Sequence, residues 1–269
     1  MAAKERLDVL LVRQGHFLTR QKAQAAIMAG IVFVDGQRID KAGVKIEPNS
    51  DIQVRGQRQP YVSRGGLKLE KAIKELGFDP AGKILLDIGA STGGFTDCAL
   101  QHGAKRVYAI DVGYNQLAWS LRQDERVVVM ERTNARYLTV EDLPELADAA
   151  TIDVSFISLA LILPATIPLL HADADIVALI KPQFEAGREQ VGKRGVVRDE
   201  IAHRQVLKQV LALAQELGLG LLGLTFSPIT GPEGNIEFLA RWQKGAQGRM
   251  GEEQIASLVQ QAHLSLRAK

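Results

Sequence analysis

A glycine-rich turn between residues 85 and 96 constrains the fold of this chain more than any other feature. The segment reads LLDIGASTGGFT, an apolar run that ends in Asp87 and continues through Gly89, Gly93 and Gly94 into a segment compatible with a helix. In open parallel sheets, a strand that enters a helix through such a turn forms a nucleotide-sized pocket at its carboxyl end. Glycine allows the backbone to approach a ligand where a Cβ atom would collide. The segment therefore predicts a ligand pocket at the edge of a sheet.

The spacing of the glycines indicates the kind of ligand. The pattern G-x-x-x-G-G differs from the dinucleotide and phosphate-loop patterns, and no lysine follows the glycines to hold a phosphate. This favours a ligand with a nucleoside and little phosphate, such as S-adenosylmethionine, although the turn alone could also be a plain connection. An acidic residue about twenty positions further on can accept the ribose hydroxyl groups. The predicted cofactor-binding residues are Asp87, Gly89, Ala90, Ser91, Thr92, Gly93, Gly94, Phe95, Asp111, Val112, Asn134 and Ala135.

From residue 64 onward, segments typical of strands alternate with segments typical of helices, among them a short helix predicted over 116–121. This alternation predicts an α/β fold with a doubly wound, mostly parallel, Rossmann-like sheet, closed by an antiparallel pair near 221–226 and 236–240. An amphipathic helix over 251–267 is expected to pack on the sheet. The apolar fraction of 46% is sufficient for such a core. The single cysteine excludes an intrachain disulfide or a thiolate metal cluster and favours a reducing compartment.

The first sixty residues differ from the rest in charge and pattern. They carry ten lysines and arginines against six acidic residues, whereas the whole chain has a net charge of only +2. Two short helices, the second capped by Thr19, precede short strands and a hairpin signal at Asp35-Gly36. This predicts a small α+β domain whose positive charge suits a polyanion.

Four charged residues stand where the predicted sheet ends. Asp153 follows one strand and Lys181 follows the apolar run 176–180, while Glu237 lies among apolar neighbours and Lys68 lies on the helix before the sheet. Ligands bind at the carboxyl edge of such sheets. Each residue alone could form an ordinary salt bridge or be a lysine that extends to solvent. Together they form a coherent candidate catalytic set.

The amino-terminal pattern from Thr19-Arg20 to Gly36 resembles the small RNA-binding domain first seen in ribosomal protein S-four. In that family the second helix and the hairpin bind structured RNA by shape and phosphate contacts. The resemblance implies a domain over 1–58 and a linker over 59–63. The candidate RNA-binding residues are Arg6, Arg20, Lys22, Arg38, Lys41 and Arg64.

The glycine turn, the segments DVSF from Asp153 and KPQFE from Lys181, and Glu237 resemble the FtsJ/RrmJ-type ribose 2′-O-methyltransferases. With the amino-terminal domain, the chain resembles the TlyA family of ribosomal RNA methyltransferases, some of which are labelled hemolysins. This resemblance implies a methyltransferase domain over 64–269, S-adenosylmethionine as cofactor, ribosomal RNA as partner and, as target, the 2′-hydroxyl group of a cytidine. The family's Lys-Asp-Lys-Glu catalytic set maps onto Lys68, Asp153, Lys181 and Glu237.

The resemblance also implies how these residues act. Lys181 is expected to take the proton of the ribose hydroxyl group, helped by the nearby cation Lys68 and by partial burial. Asp153 would orient Lys181, and Glu237 would hold Lys68 and the ribose. We expect no metal, because no two histidines stand at metal-ligand spacing.

Two other functions compete with this prediction. A membrane-lysing hemolysin is opposed by the absence of an apolar signal-peptide core and of an apolar run of ~20 residues. An RNA-binding assembly factor without catalysis is opposed by the four charged residues. We therefore expect a cytoplasmic enzyme with no stable membrane association. The target nucleotide, the ribosomal subunit and the oligomeric state are not fixed by the sequence.

Overall fold

The computed structural model describes residues 4–17, 19–54 and 60–267, and the chain divides into two compact units, Met1–Pro60 and Tyr61–Lys269. The domain bounds 1–58 and 64–269 stay a prediction, and residue 59 of the predicted linker lies outside the described residues.

The first unit is a small α+β structure, as the pattern of its sequence predicts. A two-stranded sheet pairs β1 with β4, and a three-stranded antiparallel sheet has the order β3-β2-β5. The elements are β1 (Glu5–Arg6), α1 (Leu7–Arg13), α2 (Arg20–Met28), β2 (Val32–Val34), β3 (Gln37–Arg38), β4 (Lys45–Ile46) and β5 (Ile52–Val54).

Local signals explain where these elements begin and end. The hydroxyl group of Thr19 accepts a hydrogen bond from the backbone N–H of Lys22 and so caps α2, as predicted. Asp35 and Gly36 both have positive φ angles, +50° and +80°, which is the conformation of a tight hairpin turn. The helices pack on the sheets through a buried apolar cluster that contains Leu7, Leu10, Leu11, Ala23, Ala26, Ile27, Val32, Val34 and Ile46.

Asp8 is a fully buried carboxylate in this unit. It accepts hydrogen bonds from the Arg6 guanidinium at 3.0 Å, from Arg20 Nε at 2.8 Å and from Gln24 Nε2 at 2.7 Å. The hydrogen bonds from Arg6 are the main cause that holds the pKa of Asp8 well below its usual range, against the opposing effect of burial. Asp8 thus joins β1, α1 and α2 through charge-assisted contacts.

The second unit is a three-layer α/β structure with a seven-stranded sheet. Its elements are α3 (Gly65–Leu76), β6 (Ile84–Ile88), α4 (Gly94–Gln101), β7 (Arg106–Ile110), α5 (Trp119–Arg122), β8 (Val127–Met130), β9 (Ala147–Ile152), α6 (Leu159–Thr166), β10 (Leu170–Ile180), α7 (Pro182–Glu185), α8 (Glu200–Glu216), β11 (Leu219–Phe226), β12 (Phe238–Lys244) and α9 (Glu252–Arg267).

The sheet confirms the predicted doubly wound topology. Its strand order is β11-β12-β10-β9-β6-β7-β8, in which β12 runs antiparallel to both neighbours and the other pairs are parallel. The chain starts in the middle at β6, builds outward through β7 and β8, and then returns to β9 on the other side. The carboxyl ends of β6 and β9 therefore border the crevice where such folds bind ligands.

Apolar side chains cover both faces of this sheet. One face packs against α6, α8 and α9, and the other packs against α3 and α4. Because both faces are buried, β6 consists entirely of buried residues. Ile255, Val259 and Ala262 place α9 in the core, which confirms its predicted packing on the sheet. Within the described residues, no helix is long and apolar enough to cross a membrane.

Several predicted element bounds differ from those in the structure. The predicted helix 116–121 is shorter and later, as α5, because the turn that follows β7 extends to Ala118, where the backbone is not helical. The predicted strand 236–240 begins only at Phe238, so Glu237 precedes β12. Strand β10 begins at Leu170, six residues before the apolar run that predicted it, because Leu170 already pairs with Ala147 of β9, ahead of exposed residues that carry no hydrophobic pattern.

We predict that Asp8→Ala selectively destabilises the first unit. The loss of a buried acceptor shared by three side chains is expected to cost about 2 kcal/mol of the local unfolding free energy. Hydrogen exchange of backbone amides in the full chain measures this cost for 4–54 separately from the second unit. Glu47→Ala is the matched control, because Glu47 is an acidic residue of the same unit whose ion pair with Lys4 is exposed.

The same contact gives this unit a pH dependence. Because the pKa of Asp8 is lowered by folding, its stabilising effect is present above the unfolded value of about 4 and is lost as the pH falls below it. The difference between wild type and Asp8→Ala should shrink toward pH 2. Equal differences at pH 3 and pH 7 would contradict this account.

Candidate functional site

The four predicted catalytic residues form one chain of ion pairs. Lys181 Nζ lies 2.7 Å from Asp153 Oδ1, and Lys68 Nζ lies 3.5 Å from Asp153 Oδ2 and 2.9 Å from Glu237 Oε2. The Asp153 carboxylate thus contacts both ammonium groups, and Glu237 contacts only Lys68. We call Lys68, Asp153, Lys181 and Glu237 the tetrad.

Sheet topology brings the tetrad together. Asp153 and Lys181 follow the carboxyl ends of the neighbouring parallel strands β9 and β10. Strand β12 is antiparallel, and its first residue Phe238 pairs with Ile180 at the end of β10, so Glu237 reaches the same edge from the opposite chain direction. Lys68 lies in the second turn of α3, which packs on this sheet.

The tetrad is buried but balanced in charge. Lys68, Lys181 and Glu237 are 8%, 7% and 2% exposed. Burial acts to raise the pKa of Asp153, but the two lysines outweigh it and leave the pKa below its usual value. Burial likewise acts to lower the pKa of Lys68, but Asp153 and Glu237 outweigh it and leave the pKa raised. Lys68 is therefore held as a cation, and Asp153 as an anion.

A cavity of about 430 Å³ opens beside the tetrad. We call it the tetrad cavity. Its walls come from the glycine turn, the start of α3 and a loop over 229–232. All four tetrad residues line this cavity, together with Arg64, which was predicted to bind RNA.

A second cavity of about 430 Å³ adjoins the first and shares Gly89, Ser91, Asp153 and Ser155 with it. We call it the nucleoside cavity. The predicted residues Asp111, Val112, Asn134 and Ala135 all line it, with apolar walls from Ile88, Ile110, Ile157 and Ile162.

The chemistry of this lining fits a nucleoside. Apolar walls suit a flat base, and a carboxylate can accept hydrogen bonds from ribose hydroxyl groups. The Asp111 carboxylate accepts backbone N–H groups of Ser91 at 2.8 Å and of Gly113 at 2.7 Å, which hold it at the end of β7. Asn134 Oδ1 accepts the N–H of Arg136 at 3.1 Å.

At two positions of the turn, neighbouring segments of the chain come so close that only glycine fits. Gly89 has φ +84°, and a Cβ atom there would lie 2.6 Å from the carbonyl oxygen of Asp153. A Cβ on Gly94 would lie 2.3 Å from Ser63 Oγ and 2.8 Å from the backbone nitrogen of Gly66. The turn can therefore pack directly against the strand end that carries Asp153 and against the start of α3.

Two predicted cofactor residues lie outside both cavity linings. Asp87 is buried under the turn, where its carboxylate accepts the hydroxyl groups of Thr96 at 2.6 Å and Thr151 at 3.0 Å. Burial raises its pKa to about 6. A Cβ on Gly93 would meet the side chains of Leu121 and Leu117 at 2.3 and 2.7 Å. Both residues support the turn from below, and their contact with a cofactor stays a prediction.

The predicted RNA-binding residues of the first unit are exposed. Arg6 and Arg20 are held by Asp8, and the Arg38 guanidinium lies against Gly30, where a Cβ atom would be 2.4 Å away. Lys22 and Lys41 lie on the surface. Their binding of RNA stays a prediction.

The sequence reasoning missed Ser155 and Phe156, which follow Asp153 and line the nucleoside cavity. Phe156 is 91% exposed and has φ +64°, which is rare for a bulky residue. Its ring lies 5.1 Å from the ring of Phe184. The sequence offered one signal for these two residues, which is their position shortly after Asp153 at the carboxyl end of β9. In the described part of the chain, no group of three or more His, Cys, Asp or Glu could hold a metal ion.

Comparison with known proteins agrees with this geometry. Residues 61–244 match the FtsJ-like methyltransferase family, and residues 5–52 match the S4 domain. A Bacillus subtilis (strain 168) protein named "Putative rRNA methyltransferase YqxC" is 57% identical over 99% of this chain and 96% of its own length. The "16S/23S rRNA (cytidine-2'-O)-methyltransferase TlyA" of Mycobacterium tuberculosis (strain ATCC 25618 / H37Rv) is 47% identical over 88% of this chain and 89% of its own.

One solved structure is similar to this chain over nearly its full length. The structure named "Putative hemolysin from Streptococcus thermophilus" has a TM-score of 0.78 and 50% identity, and the match covers 98% of each chain. The family match covers more than half of the chain, and the TlyA relative is 47% identical over 88% of the chain. The chain therefore belongs to the FtsJ-like methyltransferases and, within them, to the TlyA family.

Proposed function

We propose that this protein transfers a methyl group from S-adenosylmethionine to the 2′-hydroxyl group of a cytidine in ribosomal RNA. The observation that carries the proposal is the Asp153 carboxylate between two buried lysines, beside a cavity that adjoins a nucleoside-shaped one. The TlyA relative, whose name gives this reaction, supports the choice of substrate.

The tetrad supplies the groups that the reaction needs. S-adenosylmethionine, when bound, supplies an electrophilic methyl group on sulfur. A ribose hydroxyl group carries almost no anion at neutral pH, so a base must take its proton as the oxygen attacks. Lys181 takes this proton, and Asp153 holds Lys181 at 2.7 Å. Lys68, fixed by Glu237, lies beside the same carboxylate and stabilises negative charge. The rest of the rate enhancement comes from holding the attacking oxygen, the methyl group and the sulfur in line.

The glycine turn and the nucleoside cavity would hold the cofactor. Asp111 would accept the ribose hydroxyl groups, the apolar walls would contain the adenine, and Asn134 and Ala135 would lie at its edge. The sulfonium end of the cofactor would lie toward the tetrad cavity, which is lined by Gly89, Ala90, Ser91, Thr92, Gly94 and Phe95.

Exposed aromatic side chains in the segments that follow the parallel strands support RNA as the substrate. All four exposed aromatic side chains of the described residues follow the carboxyl ends of parallel strands; we call Tyr114, Trp119, Tyr137 and Phe156 the aromatic rim. Arg132 lies over the Tyr114 ring at 4.1 Å, and Arg136 lies 5.5 Å from the Tyr137 ring centre. Exposed rings with arginines are suited to unstacked bases and phosphates. Together with the S4 domain, this favours a partly single-stranded RNA substrate.

Ribosomal RNA as substrate also places the protein in the cytoplasm as part of this proposal. Hemolysin also appears among the names of similar proteins, but no observation in the described residues favours lysis as a second function.

We predict that Lys181→Ala abolishes methyl transfer to ribosomal RNA and leaves the affinity for S-adenosylmethionine unchanged within about three-fold. The variant removes the base but none of the residues assigned to the nucleoside. Labelled-methyl transfer and calorimetry measure the two effects. Lys83→Ala is the matched control, because Lys83 forms an ion pair with Asp175 at the amino edge of the same sheet. Full activity of Lys181→Ala would contradict the role of this lysine.

We predict that Asp111→Ala weakens binding of S-adenosylmethionine by about 10- to 100-fold, because a charged acceptor is lost from the ribose. Calorimetry measures the affinity. Asp148→Ala is the control, since Asp148 also accepts a backbone N–H, from Ile84 at 2.8 Å, but lies at the amino edge of the sheet. An unchanged affinity in Asp111→Ala would place the cofactor elsewhere.

We predict that Tyr137→Ala raises the KM for RNA about ten-fold, because a stacked base is worth about 1–3 kcal/mol. The affinity for S-adenosylmethionine should not change. Tyr137→Phe keeps the ring and should behave as wild type. If both variants had wild-type KM values, the aromatic rim would not contact the substrate at this residue.

A further inference from the structure

The hydroxyl group of Ser155 is the second hydrogen-bond acceptor of the Lys181 ammonium group. Lys181 Nζ donates to Ser155 Oγ at 2.9 Å, in addition to its ion pair with Asp153 at 2.7 Å. Ser155 is exposed and lines both the tetrad cavity and the nucleoside cavity. Its side chain therefore does not fill the core; its contact with Lys181 is polar.

These two acceptors fix the orientation of the nitrogen. An ammonium group has three N–H bonds directed tetrahedrally. Asp153 and Ser155 take two of them, and no third hydrogen-bond partner of Nζ is found in the part of the chain that the structure describes. The centre of the Phe184 ring lies 6.0 Å from Nζ, beyond hydrogen-bond distance, so the third direction is left for the cavity that Lys181 lines. When the lysine is neutral, its two remaining N–H bonds satisfy the same acceptors, and its lone pair lies along that third direction.

We propose that Ser155 is a positioning residue that directs the lone pair of Lys181 toward the ribose hydroxyl group. This inference rests on the proposed function, in which Lys181 is the base. Asp153 alone fixes one N–H bond of the neutral amine, so the lone pair could still occupy either of the two remaining tetrahedral positions. The second acceptor, Ser155, takes one of these positions and leaves the other to the lone pair. The proton passes from the 2′-hydroxyl oxygen to Nζ as the new oxygen–methyl bond forms and the sulfur–methyl bond breaks, so Lys181 ends as ammonium with three N–H bonds.

The loop that carries Ser155 is itself held in place. Glu185, buried in part, accepts the Ser158 hydroxyl group at 2.6 Å and the backbone N–H of Leu159 at 2.8 Å. It thereby ties the start of α6 to the segment that follows Lys181. At Phe156 the chain keeps a positive φ angle, which persists only where the surrounding structure determines it. Ser155 thus lies in a segment that is held on both sides, at Asp153 and at Ser158.

The test compares Ser155→Ala with Ser155→Thr in the full chain. Ser155→Ala should lower kcat for methyl transfer about ten-fold, while the KM for RNA and the affinity for S-adenosylmethionine stay within about two-fold. Ser155→Thr keeps the hydroxyl group and should restore kcat to within about three-fold of wild type. Ser257→Ala, at an exposed serine of α9, is the control for serine removal. A wild-type kcat in Ser155→Ala, or no restoration by Ser155→Thr, would overturn the proposal.

A second measurement does not depend on turnover. Heteronuclear NMR of lysine-labelled protein should show a sharp Lys181 ammonium signal in wild type and in Ser155→Thr, identified by its loss in Lys181→Ala. In Ser155→Ala the signal should broaden or vanish, because hydrogen bonds slow proton exchange. An unchanged signal would overturn the contact. An inactive wild type would contradict the proposed function instead, and the NMR result would still decide whether Ser155 orients Lys181.

Discussion

The carboxylate of Asp153, placed between two buried ammonium groups, is the interaction on which the site depends. Two lysines that are less than one tenth exposed would repel each other and lose their hydration without an anion between them. Glu237 supplies the second negative charge, so the four charges cancel. The tetrad also ties α3, β9, β10 and the start of β12 to one edge of the sheet. The same contacts that stabilise the charges therefore define the shape of the tetrad cavity.

Much of this arrangement follows from the sequence because parallel strands end at one edge. Asp153 and Lys181 could be predicted to meet there, and the alternation of elements predicted the doubly wound sheet. Glu237 was assigned to a strand, yet it reaches the site because it precedes an antiparallel one. The boundaries of α5 and β10 were wrong, because turn geometry and edge pairing determine them rather than hydrophobic pattern.

Other features could not be read from the sequence because they depend on tertiary contacts. Phe156, with its positive φ angle, contacts the ring of Phe184, and the segment that follows it is held by Glu185; both partners lie almost thirty positions away. The contact between Lys181 and Ser155 requires the register of two strands. In the first unit, Asp8 holds Arg6 and Arg20, so two residues chosen for RNA also have a structural role. A charge count cannot separate these two roles.

The central claim is that this chain methylates a ribose oxygen of ribosomal RNA. It is tested most directly by incubating the protein and labelled S-adenosylmethionine with ribosomes or ribosomal RNA from cells that lack it, followed by mapping of the label. The account predicts label on the 2′-oxygen of a cytidine, resistant to alkaline cleavage at that position. Label on a base atom, or no label on RNA from either ribosomal subunit, would contradict it.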